Sequence, residues 1–269
     1  MTKLPELATL KSLLTEIIDT EVMSRFTRVS SQTKSDGSVV TEADLITQAR
    51  IHEALQAAWP EIPLLGEEME REEQQELLSS AEYLWCLDPL DGSSNFAAGI
   101  PFFCSSLALL HHGRAVLGII YDPIKRECFS AELGRGAWLN DQPLQLTDDH
   151  GELSTSIACV DLKRLGFALA SQVAVAPPFR SQRNFGSGAL DWAWLACGRS
   201  QLYLHGGQQL WDYVAGHLIF SEAGGVCSDL LGQPVPNQNL YPRPIVAAGN
   251  QSLHAQWLAW VEQASRVEP

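Results

Sequence analysis

Leu10, Leu13, Leu14, Ile17, Ile18, Val22 and Phe26 return at intervals of three and four, the spacing that lines one face of an α-helix, and predict a long helix over residues 6–28. The pattern lapses in the polar stretch SSQTKSDGSV, where Asp36-Gly37 marks a turn. Thr41 then opens a second helix that runs to about Ala58, with Pro60 beyond its end. After that the apolar runs shorten. IPLLGEE ends in acids, and EYLWCLDPL reads as a strand. FFCSSLALL and AVLGIIYDP flank HHGR and predict an antiparallel hairpin, continued as a meander by ECFSAEL, GAWL and PLQL. A second half starts near residue 152 with the strand STSIACV. It goes on with a helix from about Gly188 to Ala196 stopped by Gly198, and a strand QLYLH. A helix from about Trp211 to Glu222 stopped by two glycines, a strand PIVAAG and a last helix near Leu253 to Val261 complete it. Mixed strands and layered helices predict an α+β layered sandwich, one domain over residues 1–269 with subdomains of about 1–150 and 151–269.

Composition narrows the range of functions. The 269 residues are 45% hydrophobic, enough for a substantial core. Lys and Arg number 18 against 32 Asp and Glu, a formal charge of −14. Such a surface repels phosphate backbones at long range, so neither nucleic acid nor membrane is expected as a partner. No stretch approaches the roughly 18 uninterrupted apolar residues that span a bilayer. The N-terminal apolar pattern is interrupted throughout by Glu and Asp, unlike a signal peptide. Cys86, Cys104, Cys128, Cys159, Cys197 and Cys227 form no CxxC pair and sit mostly among apolar neighbours, which reads as a reduced, cytoplasmic chain.

The chemistry starts where an apolar run stops. In WCLDPLDGSSNF, residues 85–96, two acids flank a proline turn and are followed by a glycine, two hydroxyls and an amide. Glu67-Glu68 closes another apolar run, and Asp212 stands at a helix start. Singly, each has an ordinary reading. DPLDG is a turn, EEMEREEQQE a solvated face, Asp212 a charge suited to a helix N-terminus, and Thr41 with Asp44 a capping box. His205, His217 and the His111-His112 pair read as turn or packing residues. Taken together, the acids mean more. Four or more converging carboxylates repel unless hard, oxygen-preferring cations such as Mg2+ or Mn2+ neutralise them. No His or Cys cluster accompanies the acids, which weighs against zinc. Pro89 fixes the backbone between the acids, Gly92 permits a sharp turn, and the amides of Gly92, Ser93 and Ser94 can point at an anion. Cations beside anion-binding amides form a phosphoryl-transfer layout, and they supply the positive charge that an acidic protein lacks.

GEE at 66–68, DPLDGSSNF at 88–96 and WDYVAGHLIFSEAGG at 211–225 resemble, in order and spacing, the signatures of the inositol monophosphatase family of magnesium-dependent, lithium-sensitive phosphatases. The likeness runs from about Lys34 to Ala248. It implies a layered α-β-α-β-α sandwich, usually a homodimer. It implies that Glu67, Asp88, Asp91, Asp212 and the Leu90 carbonyl hold two or three Mg2+ ions, Mn2+ being an alternative, with Asp88 bridging two of them. Asp44 would support the nucleophilic water and Ser93 would help deprotonate it, with Glu67 also catalytic. Gly92, Ser93, Ser94, Gly186, Ser187, His205 and Asp212 would meet the substrate, and Lys34 lies in a loop that closes over the site in relatives. There are two departures. His205 stands where inositol-cleaving members usually carry Glu, and Gly188 replaces the usual Ala.

The resemblance thus implies hydrolysis of a small-molecule phosphate ester, most of all a phosphorylated polyol like inositol 1-phosphate. The alternatives are fructose-1,6-bisphosphatase, histidinol-phosphatase or nucleotide 3′-phosphatase on the same scaffold and, from another class, a catalytically silent metal-binding regulatory protein.

Overall fold

The structure, a computed structural model, describes residues 4–27, 31–33, 39–147, 151–235 and 239–266. The first half contains α1 (Leu7–Glu21), β1 (Ser31–Thr33), β2 (Val39–Thr41), α2 (Glu42–Ala58), β3 (Leu64–Gly66), α3 (Arg71–Ser80), β4 (Tyr83–Asp91) and α4 (Ser93–Ala97). It continues with β5 (Cys104–His111), β6 (Arg114–Asp122), β7 (Glu127–Glu132), β8 (Gly136–Leu139) and β9 (Gln142–Leu144). The second half contains β10 (Ile157–Asp161), α5 (Phe167–Val175), β11 (Ser181–Arg183), α6 (Gly188–Ala196), β12 (Leu202–Gln208), α7 (Leu210–Glu222), β13 (Val226–Ser228), β14 (Arg243–Ala248) and α8 (Gln251–Ser265).

Strands β3 to β9 lie side by side in chain order as a seven-stranded sheet, parallel only between β3 and β4. The second sheet has the order β11-β10-β12-β14-β13, with β10 parallel to both its neighbours. Alternation along β4 shows how the layers form. Trp85 and Leu87 join one core with Leu10, Leu14 and Ile18 of α1 and Ile51 and Leu55 of α2. Leu84 and Cys86 join another with α6, α7 and the inner face of the five-stranded sheet. Both faces of the strand are buried, so its apolar run is continuous instead of alternating. The third core packs Leu253, Trp257 and Val261 of α8 and Leu169 of α5 against the outer face of the five-stranded sheet. The result is an α-β-α-β-α sandwich, as expected.

α6 and α7 form the middle layer and are apolar nearly all round, because sheets cover them on two sides. Trp192 is fully buried there, against Tyr203 and Phe220 at ring separations of 5.2 and 5.6 Å. Truncating it to alanine removes a fully buried indole from that layer, at a cost of about 3–5 kcal/mol. No helix among the described residues is long and apolar enough to cross a membrane.

Several boundaries differ from the sequence expectation. α1 ends at Glu21, not near residue 28. The apolar period continues because Phe26, in the turns that follow, packs on Phe96 and Phe103 at 5.4 and 4.9 Å. The acidic run after Glu68 includes α3, whose single buried residue is Gln74; with no apolar stripe it had no helical signature. The last helix extends from Gln251 to Ser265, beyond the expected Leu253–Val261 span, because Asn250 caps it by accepting from the Leu253 N–H at 2.8 Å.

Candidate functional site

A β-bulge brings the first two acids together. In an unbroken strand, residues three apart point to opposite faces. Asp88 pairs with Ser106 and Asp91 with Cys104, so β4 carries one more residue than β5 over this stretch. That extra residue turns both carboxylates to the same side. Pro89 supplies no N–H to the interrupted ladder, and its carbonyl accepts from the Ser105 hydroxyl at 2.5 Å. Glu67 follows β3, which runs parallel beside β4. Asp212 comes from the other side as the third residue of α7, in a capping box where its Oδ2 accepts from the Gln209 N–H at 3.0 Å.

The four acids and Leu90 line one cavity of about 160 Å³, together with Gly92, Ser93, Ser94 and Gly186. Asp44 lies just behind it, fully buried. Its Oδ2 accepts from the Thr41 N–H and hydroxyl at 2.7 and 2.6 Å, so the capping box is present. Its Oδ1 accepts from the Ser93 hydroxyl at 2.7 Å, and Ser93 Oγ also lies 2.8 Å from the Leu90 carbonyl. Gly92, with φ of 93°, makes the left-handed turn from β4 into α4 that places Ser93 here. Ser187 faces the acids: it caps α6 and donates to Asp91 Oδ2 at 2.6 Å, beside the Ala189 N–H, also at 2.6 Å.

Burial comes first in the electrostatics, and charge crowding adds to it. Burial, then Glu67, Asp91, Asp212 and Asp44, hold the Asp88 carboxyl well above the usual carboxylate range. Burial, Asp91 and Glu67 do the same to Asp212. Asp91 is raised by burial against the opposing hydrogen bonds from Ser187, Ala189 and Gly188. Such a cluster favours added positive charge. The acids and the Leu90 carbonyl offer oxygen donors, while burial and the nearby acids push the Cys86 and Cys104 thiols upward, away from the thiolate form. The donor set fits a hard divalent cation such as Mg2+ or Mn2+.

His205 is not among the cavity-lining residues. It lies in β12 directly opposite Asp161 of β10, 8% exposed, with Nε2 3.4 Å from Asp161 Oδ2 and Nδ1 accepting from the Gly207 N–H at 3.1 Å. Burial pulls its imidazole down, and Asp161 partly offsets this. The same Asp161 Oδ2 lies 3.4 Å from Arg164 Nε. Arg164 does line the cavity, and among the described residues it is the one lysine or arginine to do so. A Cβ on Gly206 would stand 1.7 Å from the Arg164 carbonyl oxygen, so only glycine lets that turn press against β12. The sequence reading missed Arg164. The available signal was a Lys-Arg pair directly after a strand of the second half. Lys34 lies outside the described residues.

Residues 5–266 match the profile of the inositol monophosphatase family. An inositol-1-monophosphatase of Mesorhizobium japonicum is 34% identical over 235 residues, 86% of this chain and 85% of its own. A protein named Nus factor SuhB, from Xylella fastidiosa, is 33% identical over 210 residues, 77% of this chain and 74% of its own. The solved structure of the extragenic suppressor protein SuhB from Bartonella henselae superposes with a TM-score of 0.81 at 27% identity, over 97% of this chain and 99% of that one.

Proposed function

The chain belongs to the inositol monophosphatase family, which is metal-dependent, and from that premise we propose that it is a magnesium-dependent hydrolase of a small phosphate monoester, a phosphorylated polyol like inositol 1-phosphate. The supporting observation is the convergence of Glu67, Asp88, Asp91, Asp212 and the Leu90 carbonyl on one cavity that Ser93 also lines.

Glu67, Asp88 and the Leu90 carbonyl would hold one cation and Asp88, Asp91 and Asp212 a second. When bound, the cations supply Lewis-acid charge that acidifies a water and offsets the ester dianion. The chain's own residues supply the rest. Ser93 donates its proton to Asp44, which leaves a lone pair on Oγ to accept from the attacking water. Asp44, with Glu67 beside the water, receives the proton, and the two hydrogen bonds from Thr41 keep the Asp44 carboxylate oriented for it. Ser187 performs the same service for Asp91. The amides of Gly92, Ser93 and Ser94 hold the equatorial phosphate oxygens. Gly186 bounds the substrate's approach, and His205 acts on the substrate side through Asp161 and Arg164.

Arg164 favours a second reading of the substrate. Its positive charge pulls the Asp212 carboxyl back down towards the carboxylate form, so it stands on the leaving-group side of the site. A cation there suits an ester whose leaving group carries another anion, as a sugar bisphosphate does, and opposes a cationic one such as histidinol phosphate. A third reading comes from the relatives named Nus factor: a binding protein without turnover. We further read the two sheets as the centres of subdomains at about 1–150 and 151–269, and the assembly as a cytoplasmic homodimer, which light scattering checks.

Phosphate release from inositol, sugar, histidinol and nucleotide phosphates, titrated with magnesium with and without lithium, tests the proposal. Magnesium-dependent release at least several hundred-fold above Asp88→Asn background supports it. Release no greater than that background from every ester overturns it in favour of the binding reading.

A further inference from the structure

The hairpin between β5 and β6 gathers three metal-ligating side chains far from the acids. His111 pairs with Arg114, which leaves His112 and Gly113 as a two-residue turn, with φ of 48° and 75°. Two positive φ values are the signature of a type I′ turn, whose first position normally carries Asn, Asp or Gly. A histidine there bears the cost of a left-handed backbone. Neighbouring residues of a strand point to opposite faces, but this backbone brings the two imidazoles together, with ring centroids 4.5 Å apart. Tyr83, opposite His111 in the ladder, stacks on its ring at 4.4 Å and 16°. The His112 N–H donates to the Glu82 carbonyl at 2.8 Å, and Glu82 Oε1 lies 3.8 Å from His111 Nε2. One ligand atom from each of Glu82, His111 and His112 falls within 4.8 Å of the others.

We propose that Glu82, His111 and His112 bind a divalent transition cation of the zinc, cobalt or nickel class, separately from the catalytic cations. Two imidazoles and one carboxylate suit those metals and not magnesium. Bonds of 2.0–2.2 Å in a tetrahedral site put ligand atoms about 3.4 Å apart. Closing from 4.8 Å takes only side-chain rotation, and Glu82 and His111 are 65% and 39% exposed. A water completes the coordination. Glu82 precedes Asp88 by six residues of extended chain, so the two sites lie ~20 Å apart along β4. The ion clips the start of β4 to the hairpin, and because it binds the folded chain it raises stability by mass action.

Zinc titration by calorimetry into magnesium-saturated protein tests this, with Asp88→Asn as the background that disables the catalytic site. One zinc equivalent should persist in Asp88→Asn and raise its unfolding midpoint. Adding His112→Asn, which tolerates the left-handed turn, or His111→Phe, which keeps the stack on Tyr83, should weaken that equivalent by roughly a hundredfold. Absence of the equivalent in Asp88→Asn, or its survival at unchanged affinity in both double variants, overturns the proposal. Circular dichroism confirms that each variant is folded.

Discussion

Glu67, Asp88 and Asp91 reach the cavity from the seven-stranded sheet, Arg164 and Gly186 from the five-stranded one, and the two groups are held in different ways. The acids are placed by main-chain devices: a strand end, a bulge and, for Asp212 from the middle layer, a capping box. Arg164 depends on side chains, through Asp161 and the His205 opposite it. Main-chain placement suits groups that must converge on a shared ion to within tenths of an ångström. Side-chain placement can change without disturbing them, so in the proposed reaction the Arg164 side of the site can alter which leaving group is accepted while the four acids keep the chemistry.

The largest test of this division removes an acid. Asp88→Asn or Asp212→Asn should lower turnover by about a thousandfold or more for every ester, since each is assigned to cation binding. The metal-free variant should show a higher urea midpoint than the parent, because Asp88 and Asp212 are buried against like charges. Nearly full magnesium-dependent activity in Asp212→Asn would remove the second cation from the scheme. Asp44→Asn should cost about a hundredfold in kcat with little change in KM, the range of a lost proton acceptor. Because Asp44 lies behind Ser93, a KM effect alone would show it to be only a capping residue.

The acids were legible in the sequence because each ends an apolar run or opens a helix, where composition changes abruptly. The Asp88–Asp91 pair was visible as a motif, but its geometry was not; the bulge is a relation between β4 and β5 that no single strand reveals. Thr41 with Asp44 could be read as a capping box, and the structure adds that the same carboxylate holds Ser93. Arg164 was illegible. Asp161 meets His205 only because β10 and β12 are parallel neighbours 44 residues apart in sequence. That non-local pairing leaves no local pattern. α3 was missed for another reason: its polar surface carries no periodic signal.

A smaller effect separates the two halves again. Arg164→Ala should lower kcat/KM for a sugar bisphosphate about tenfold relative to a monophosphate, near 1.4 kcal/mol, and leave the magnesium dependence unchanged. An equal loss for both esters would place Arg164 on the transferred phosphate and make the five-stranded side part of the shared chemistry.

α7 contains both kinds of environment, and its middle gives the last test. Asp212 in its first turn is raised by burial and neighbouring acids, whereas burial alone pulls His217, packed edge-on against Trp192 at 6.0 Å, down to about 4. The unfolded chain takes up this proton as pH falls through about 6.5, but the folded chain resists until about 4. The stability tied to neutral His217 is thus complete above pH 6.5 and is lost as pH falls from there towards 4. At about pH 5.5 the loss is about 1.4 kcal/mol, one unit below the unfolded value. His217→Gln cannot titrate, so between about pH 7.5 and 5.5 its unfolding free energy from urea titration should fall less than the parent's by that amount. His205 and His254, also pulled down by burial, are present in both proteins and cancel in the difference. Equal losses in the two proteins would mean that water reaches the middle of α7, and the contrast between its charged first turn and its apolar body would fail.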